Sequence, residues 1–533
     1  MRQEELLAAR LAEYARSDMY PFHMPGHKRL PGDGEGSAGL SDPYKIDITE
    51  IEGFDNLHHP EGILRDSMEW AAGVYGADQT YYLVNGSTAG ILSAVCGTVS
   101  RGGRILVSRN CHKSVYNGIC LNQLKSSYIY PQEIEGLGIQ GAVLASDVDK
   151  MLKRYMDTQA VLVVSPTYDG IVSDIEAIAQ VVHNAGLPLI VDEAHGAHFR
   201  YGDMFPASAL DLGADVVVQS VHKTMPSLTQ TALLHVKCNR PDGGCYGDRE
   251  RIERYVRMVQ SSSPSYVLMA SIENSIYQME HMDMGAYEKR LSLLREQLKG
   301  MRHLRLVDTE LKGQAGVFDL DRSKIVVSTR GAAVPGAAAR PGGAAHSGGA
   351  ARPGGAAHLG GAALSGGVGD NRAHEAAAAC LTGAALDSIL RSEYHLEMEM
   401  CGADYVTAIT TAMDSREGME RLAHALLEID SRLVSCGEEE EARSVYSMRS
   451  DGAMTIGDAM EAPRRKVGLR DCAGCISGEF IYVYPPGIPI VAPGEWISRK
   501  ALDVILEYIE KGLPVQGPGD QSLETIQAVE IYT

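Results

Sequence analysis

The chain has 533 residues, 44% hydrophobic and 22% charged, which suits a soluble protein of two or more domains with a large core. Its net charge of −20 argues against a nucleic-acid surface, which needs clustered basic residues. No apolar run approaches the roughly 18 residues of a membrane span, and the ten cysteines, scattered through a long chain, read as reduced thiols of a cytoplasmic protein.

The N-terminal stretch MRQEELLAARLAEYARSDMY carries charge throughout and predicts an amphipathic helix, not a signal peptide. Apolar runs then alternate with helical patterns: TYYLV (80–84), RILVS (104–108), AVLVVS (160–165), LPLIVD (187–192), DVVVQS (215–220) and TALLHV (231–236). Each is dense in Val, Ile and Leu and lacks polar alternation. That predicts strands buried on both faces, in a parallel or mixed sheet covered by helices. Ligands of such sheets bind beyond the carboxyl ends of the strands.

A second region begins near residue 305. LRLVD (304–308), SKIVVST (323–329) and EFIYVYPPGIP (479–489) predict strands of a smaller α/β domain, giving units 1–305 and 306–533. Residues 331–380, rich in Ala and Gly, interrupt it with a tandem repeat, ARPGGAAHSGGA (339–350) followed by ARPGGAAHLGGA (351–362). Few large apolar side chains are present to offset the entropy of ordering, so the segment reads as a disordered surface insertion. Its repeat histidines, His346 and His358, are metal-ligand types, but a repeat without a role is the plainer reading.

Chemically rich stretches follow the strand-like runs: VNGSTAG (84–90), SRNCHKS (108–114), SPTYDG (165–170), VDEAHGAH (191–198) and SVHKT (220–224). Lys223 is the odd member. An amine at the end of a buried strand is partly desolvated, which lowers its pKa and frees its lone pair to form a Schiff base with an aldehyde. The alternative is a lysine that snorkels to the surface. Asp192 ends the neighbouring run. A buried carboxylate needs a cation or strong donors, and the protonated pyridine nitrogen of pyridoxal phosphate is one such partner; a loop cap is another. Gly86, Ser87 and Thr88 fall at a strand-to-helix turn, where N–H groups and hydroxyls hold a phosphate. Ser220 adds a nearby hydroxyl. His112 suits stacking on a heteroaromatic ring or a structural role. Each signal is weak alone; their joint arrival at strand ends is not.

With FHMPGHK (22–28), DITEIEGFDNLHHPEG (47–62), LTQ (228–230) and YPPGIPIVAPGE (484–495), these motifs make the chain resemble the short form of the ornithine/lysine/arginine decarboxylases. Those are fold-type I enzymes dependent on pyridoxal 5'-phosphate. The resemblance covers most of the chain outside the insertion. It implies an α/β fold: an aspartate aminotransferase-like large domain with a mostly parallel sheet, and a smaller C-terminal α/β domain. By the same resemblance Lys223 carries the cofactor, Asp192 meets its pyridine nitrogen, His112 stacks on its face and His195 lies near its phenolic oxygen. Gly86, Ser87, Thr88, Ser220 and His222 surround the phosphate. Lys223, His222 and His112 are the expected catalytic groups, and Glu495 and His27 are expected to face the substrate.

The implied activity is decarboxylation of a basic L-amino acid (arginine, lysine or ornithine) to an amine and CO2. The implied assembly is a homodimer or larger homo-oligomer, with no metal, nucleic acid or membrane. An aminotransferase or lyase of the same fold is the nearest rival. A metal site built from Asp192, Glu193, His195 and His198, or a non-catalytic regulator, is more distant.

Overall fold

The computed structural model describes residues 7–30, 43–134, 136–335, 379–436, 449, 452–483 and 487–531. Most of the predicted insertion, with His346 and His358, lies outside the described residues. Its described borders are strands, Ala332–Val334 pairing with Ala379–Cys380. A helix spans Leu7–Arg16, where the sequence predicts one.

The apolar runs form a seven-stranded sheet: β1 (Gln79–Leu83), β2 (Arg104–Ser108), β3 (Lys125–Ile129), β4 (Thr158–Val164), β5 (Leu189–Asp192), β6 (Val216–Gln219) and β7 (Ala232–Val236), in the order β1-β7-β6-β5-β4-β2-β3. Neighbours run parallel except β7, which is antiparallel to β6 and β1. Strand β3 is absent from the sequence prediction; KSSYI is a half-exposed edge whose polar residues hide its character. Successive side chains point to opposite faces. Leu106, Val161, Val163, Val191 and Val217 enter one core, while Ile105, Val107, Leu162, Ile190 and Val218 enter the other. Helices α1 (Gly86–Thr98) and α2 (Lys113–Leu121) cover the second core; α3 (Ile175–Asn184) and α4 (Tyr266–His281) cover the first. Two covered faces explain the unbroken apolar runs. Helix α1 sits close to the sheet: a Cβ on Gly90 would come within 2.6 Å of Leu83 and 2.8 Å of Val218.

Two larger cores lie among the described residues of the rest of the chain. Antiparallel strands β8 (Arg305–Leu306), β9 (Lys324–Ser328), β10 (Met400–Cys401) and β11 (Tyr405–Ile409), in the order β8-β9-β11-β10, share a core with α5 (Met284–Leu298), α6 (Gly383–Tyr394) and α7 (Arg416–Ser431). A separate core joins β12 (Ile481–Val483), β13 (Ile488–Val491) and α8 (Arg499–Glu510). EFIYVYPPGIP and SKIVVST therefore belong to different units. Composition marks a strand but not its partner.

Cysteine usage also differs from the sequence expectation. Cys238–Cys245 and Cys380–Cys436 are disulfides. Cys472 and Cys475, a CxxC pair that a scattered reading passes over, are free thiols. Among the described residues no helix is long and apolar enough to cross a membrane.

Candidate active site

The carboxyl ends of the central strands open onto a cavity of about 460 Å³. Gly86, Ser87, Thr88, His112, Asp192, His195, His222 and Lys223 all line it. The register explains the convergence: Asp192 on β5 lies level with Val164 on β4 and Val218 on β6, so the segments leaving these strands share one edge.

Strand β6 ends before the lysine. Lys223 sits on a single helical turn, Val221–Thr224, closed by Met225 N donating to Val221 O at 3.0 Å. The FHMPGHK segment braces this turn. Gly26 N donates to His222 O at 2.8 Å, and Thr411 Oγ1 donates to Gly26 O at 2.8 Å. A Cβ on Gly26 would meet Met225 O at 2.8 Å and Met225 N at 2.9 Å, so backbone rests directly on backbone. Met24 of this segment lines the cavity. His27, predicted at the substrate, is not among the lining residues; its Nδ1 accepts from Arg29 N at 3.0 Å. Lys28 is buried and donates to Ile409 O at 2.7 Å.

Lys223 Nζ lies 2.9 Å from His195 Nε2. Burial pushes the lysine pKa down, against the pull of Asp192 and Glu399 and with help from Lys324. Asp192, 4% exposed, accepts from Ala194 N at 3.2 Å. Burial raises its pKa, and Lys223 and that N–H oppose the shift. Burial and then Lys223 hold His195 well below the usual imidazole range; its Nδ1 is buried without a partner. His112 caps α2, with Nδ1 2.9 Å from Ser114 Oγ, and is pushed down to about 4 by burial, Lys223 and Lys113. His222 is also pushed down to about 4, chiefly by burial, and its Nδ1–H donates to Thr231 O at 2.8 Å. Both imidazoles are neutral near pH 7.

At the other end of the cavity, α1 begins without a side-chain cap. Gly86 there has φ +75°, and Ser87 and Thr88 occupy the first turn. Such a helix start attracts an anion. Ser220, expected at the phosphate, is fully buried and does not line the cavity. Its Oγ and the Oγ1 of Thr224 have no hydrogen-bond partner. An uncapped helix start that lines a cavity suits an added phosphate.

Glu495 departs from the sequence expectation. It does not line the cavity; its carboxylate is buried against Arg109 at 3.1 Å and accepts from Ala492 N at 2.9 Å. An acid at the foot of the C-terminal unit is drawn to the nearest buried cation. The acids and histidines of DEAHGAH also diverge. Glu193 accepts from Ser208, Ala209 and Gln219, and His198 pairs with Asp321 at 3.2 Å. Residues that sequence reasoning misses complete the wall: Asn110, Gln140, Tyr168, Asp169 and Glu399. The Tyr168 ring lies 4.5 Å from that of His195, and its hydroxyl donates to Glu399. Glu399 also accepts from Met24 N at 2.7 Å. Nothing in LEMEM signals that Glu399 reaches a cavity formed 200 residues upstream; the pairing of the next residue, Met400, with Thr407 brings it there.

A desolvated lysine and a buried carboxylate at adjacent strand ends share one cavity with an uncapped helix start at the edge of a mostly parallel sheet, which is the fold-type I architecture. The serine palmitoyltransferase of Sphingomonas wittichii shares the fold, with a TM-score of 0.50 and 15% identity over 77% of this chain and 86% of that one. The lysine decarboxylase LdcF of Francisella novicida matches more of it, with a TM-score of 0.67 and 17% identity over 98% of this chain and 80% of its own. The chain belongs to the Orn/Lys/Arg decarboxylase family: that family's major domain matches residues 6–328 and its C-terminal domain residues 439–514. The arginine decarboxylase of Halalkalibacterium halodurans is 30% identical over 99% of this chain and 98% of its own length. The protein is accordingly a decarboxylase of basic amino acids.

Proposed function

We propose that this protein is a pyridoxal-phosphate-dependent arginine decarboxylase, acting in the cytoplasm as a homodimer or larger homo-oligomer, with Lys223 as the cofactor anchor. The observation that carries the reading is the buried Lys223 amine beside Asp192, with the uncapped start of α1 lining the same cavity. Pyridoxal phosphate bound there supplies an electron sink for the bond to the departing carboxyl group. Asp192, on the same cavity, would meet its ring nitrogen. Ser87, Thr88 and the first N–H groups of α1 would hold its phosphate. The neutral ring of His112, held by Ser114, would stack against the cofactor ring.

Lys223 is the better proton donor to the carbon that loses CO2. The one N–H of neutral His222 already points at Thr231 O, so that residue has no proton to offer the cavity. Glu399 supplies a carboxylate for the distal cation of the substrate. The end-to-end alignment with an arginine decarboxylase favours arginine.

The test is Lys223→Ala assayed for CO2 release on arginine, lysine and ornithine with added cofactor. Loss of turnover and of a borohydride-reducible cofactor link is expected. Wild-type activity in Lys223→Ala sinks the assignment. Release from lysine or ornithine but not arginine sinks the substrate reading alone. Keto-acid formation in place of CO2 points to an aminotransferase.

A further inference from the structure

Asp169 is a third cavity carboxyl beside Asp192 and Glu399, one that the chemistry at Lys223 leaves unused. It follows Tyr168 in the loop after β4, is 4% exposed and lines the cavity. It and Glu399 come from different domains yet meet the same small-domain residue. Thr407 O on β11 accepts from Glu399 N at 3.0 Å, while Thr407 Oγ1 donates to Asp169 Oδ1 at 3.4 Å. The two acids are thus brought to one wall. The Tyr405 and Thr407 hydroxyls are the groups that Asp169 meets, and among the described residues no Lys or Arg forms an ion pair with it. Burial raises its carboxyl to about 7. Asn110, 6% exposed on the same cavity, donates through Nδ2 to Gln140 Oε1 at 2.5 Å, and its Oδ1 is buried without a donor.

Beyond the hydroxyls and the Met24 N–H that they already accept from, the Asp169 and Glu399 carboxylates keep further lone pairs for a cationic donor. An ammonium is a compact charge that one carboxylate satisfies. A guanidinium is a plane of five N–H donors that can bridge two acids and a carbonyl. We propose that Asp169 is a specificity-determining residue: with Glu399 it forms a two-carboxylate receptor for a guanidinium group, so that the site selects arginine over lysine. The assignment rests on the arginine decarboxylase reading of the same cavity. Asp169 touches only the distal end of the substrate, so its effect falls on binding and discrimination rather than on the chemical step.

The experiment compares wild type with Asp169→Asn, which keeps the side-chain shape. KM and kcat are measured on arginine and lysine, together with inhibition by 4-guanidinobutylamine and 1,5-diaminopentane. In Asp169→Asn, KM for arginine rises about tenfold or more, as expected for loss of one charge-assisted contact, while kcat changes little. The arginine-to-lysine ratio of kcat/KM falls by the same factor. In wild type the guanidine inhibitor binds about tenfold or more tightly than the diamine, which needs no variant to fold. The proposal is overturned if the enzyme turns over arginine while Asp169→Asn leaves that ratio unchanged, or if wild type binds the two inhibitors equally. If wild type turns over lysine and not arginine, the functional reading fails first and this one with it.

Discussion

Glu495→Gln tests what fastens the C-terminal unit to the large domain. Arg109, the first residue after β2, is 7% exposed; its guanidinium lies 3.1 Å from Glu495, which is 2% exposed. Arg109 also donates to Tyr116 Oη at 2.7 Å and sits 5.0 Å from the centre of the Tyr128 ring. At an effective dielectric constant of about 20, opposite charges at this distance attract by about 5 kcal/mol. The glutamine keeps the shape but leaves Arg109 charged and buried, a situation that costs about 3–5 kcal/mol. Taking about 3 kcal/mol and a urea slope of about 3 kcal/mol/M, the unfolding midpoint drops by about 1 M. Trp496 adjoins the pair and is 40% exposed, so its fluorescence reports the transition in a Trp70→Phe background. The double variant Arg109→Met/Glu495→Met should recover much of the loss, because no charge then remains stranded. A Glu495→Gln midpoint within about 0.2 M of wild type refutes the reasoning. Activity should fall with the midpoint, since Asn110 and His112, just after Arg109, line the cavity.

Gly26→Ala forces a methyl to within 2.8–2.9 Å of the Met225 backbone. Such overpacking costs about 1–3 kcal/mol, and a displacement of about 1 Å at a reacting group costs about 100-fold in rate. A drop in kcat of tenfold or more with unchanged circular dichroism is expected; unchanged kcat contradicts the bracing role. Glu193 offers a pH test. Burial raises its carboxyl to about 7 from an ordinary value of 4.5. Its folded pKa is the higher one, so its contribution to stability is complete below about pH 4.5 and is lost as pH rises to about 7, by a few kcal/mol. The stability of wild type relative to Glu193→Gln should therefore fall between pH 4.5 and 7 and level off above. A difference that stays flat across this window removes the buried protonated carboxyl.

Much of the fold was legible because both faces of its sheet are buried. Val- and Ile-rich runs with no polar alternation have few other stable arrangements, and six of them mark strands β1, β2 and β4–β7. The polar edge β3 carries no such signature and went unread. The local residue types also marked Lys223, Asp192, His112 and the NGSTAG turn, because a strand end facing a ligand needs chemistry that a core does not.

What the sequence by itself determined was therefore local: which runs form strands, which residues follow them, and that strands recur beyond residue 305. Only the tertiary structure decided which distant segments meet. Glu495 is buried against Arg109 rather than facing substrate, Gly26 rests on the turn that carries Lys223, and the wall around Asp169 borrows Glu399 and Thr407 from a sheet more than 200 residues further along. Each of these contacts depends on strand register and on the packing of one domain against another. Those are set by long-range burial, which has no period along the chain to be read.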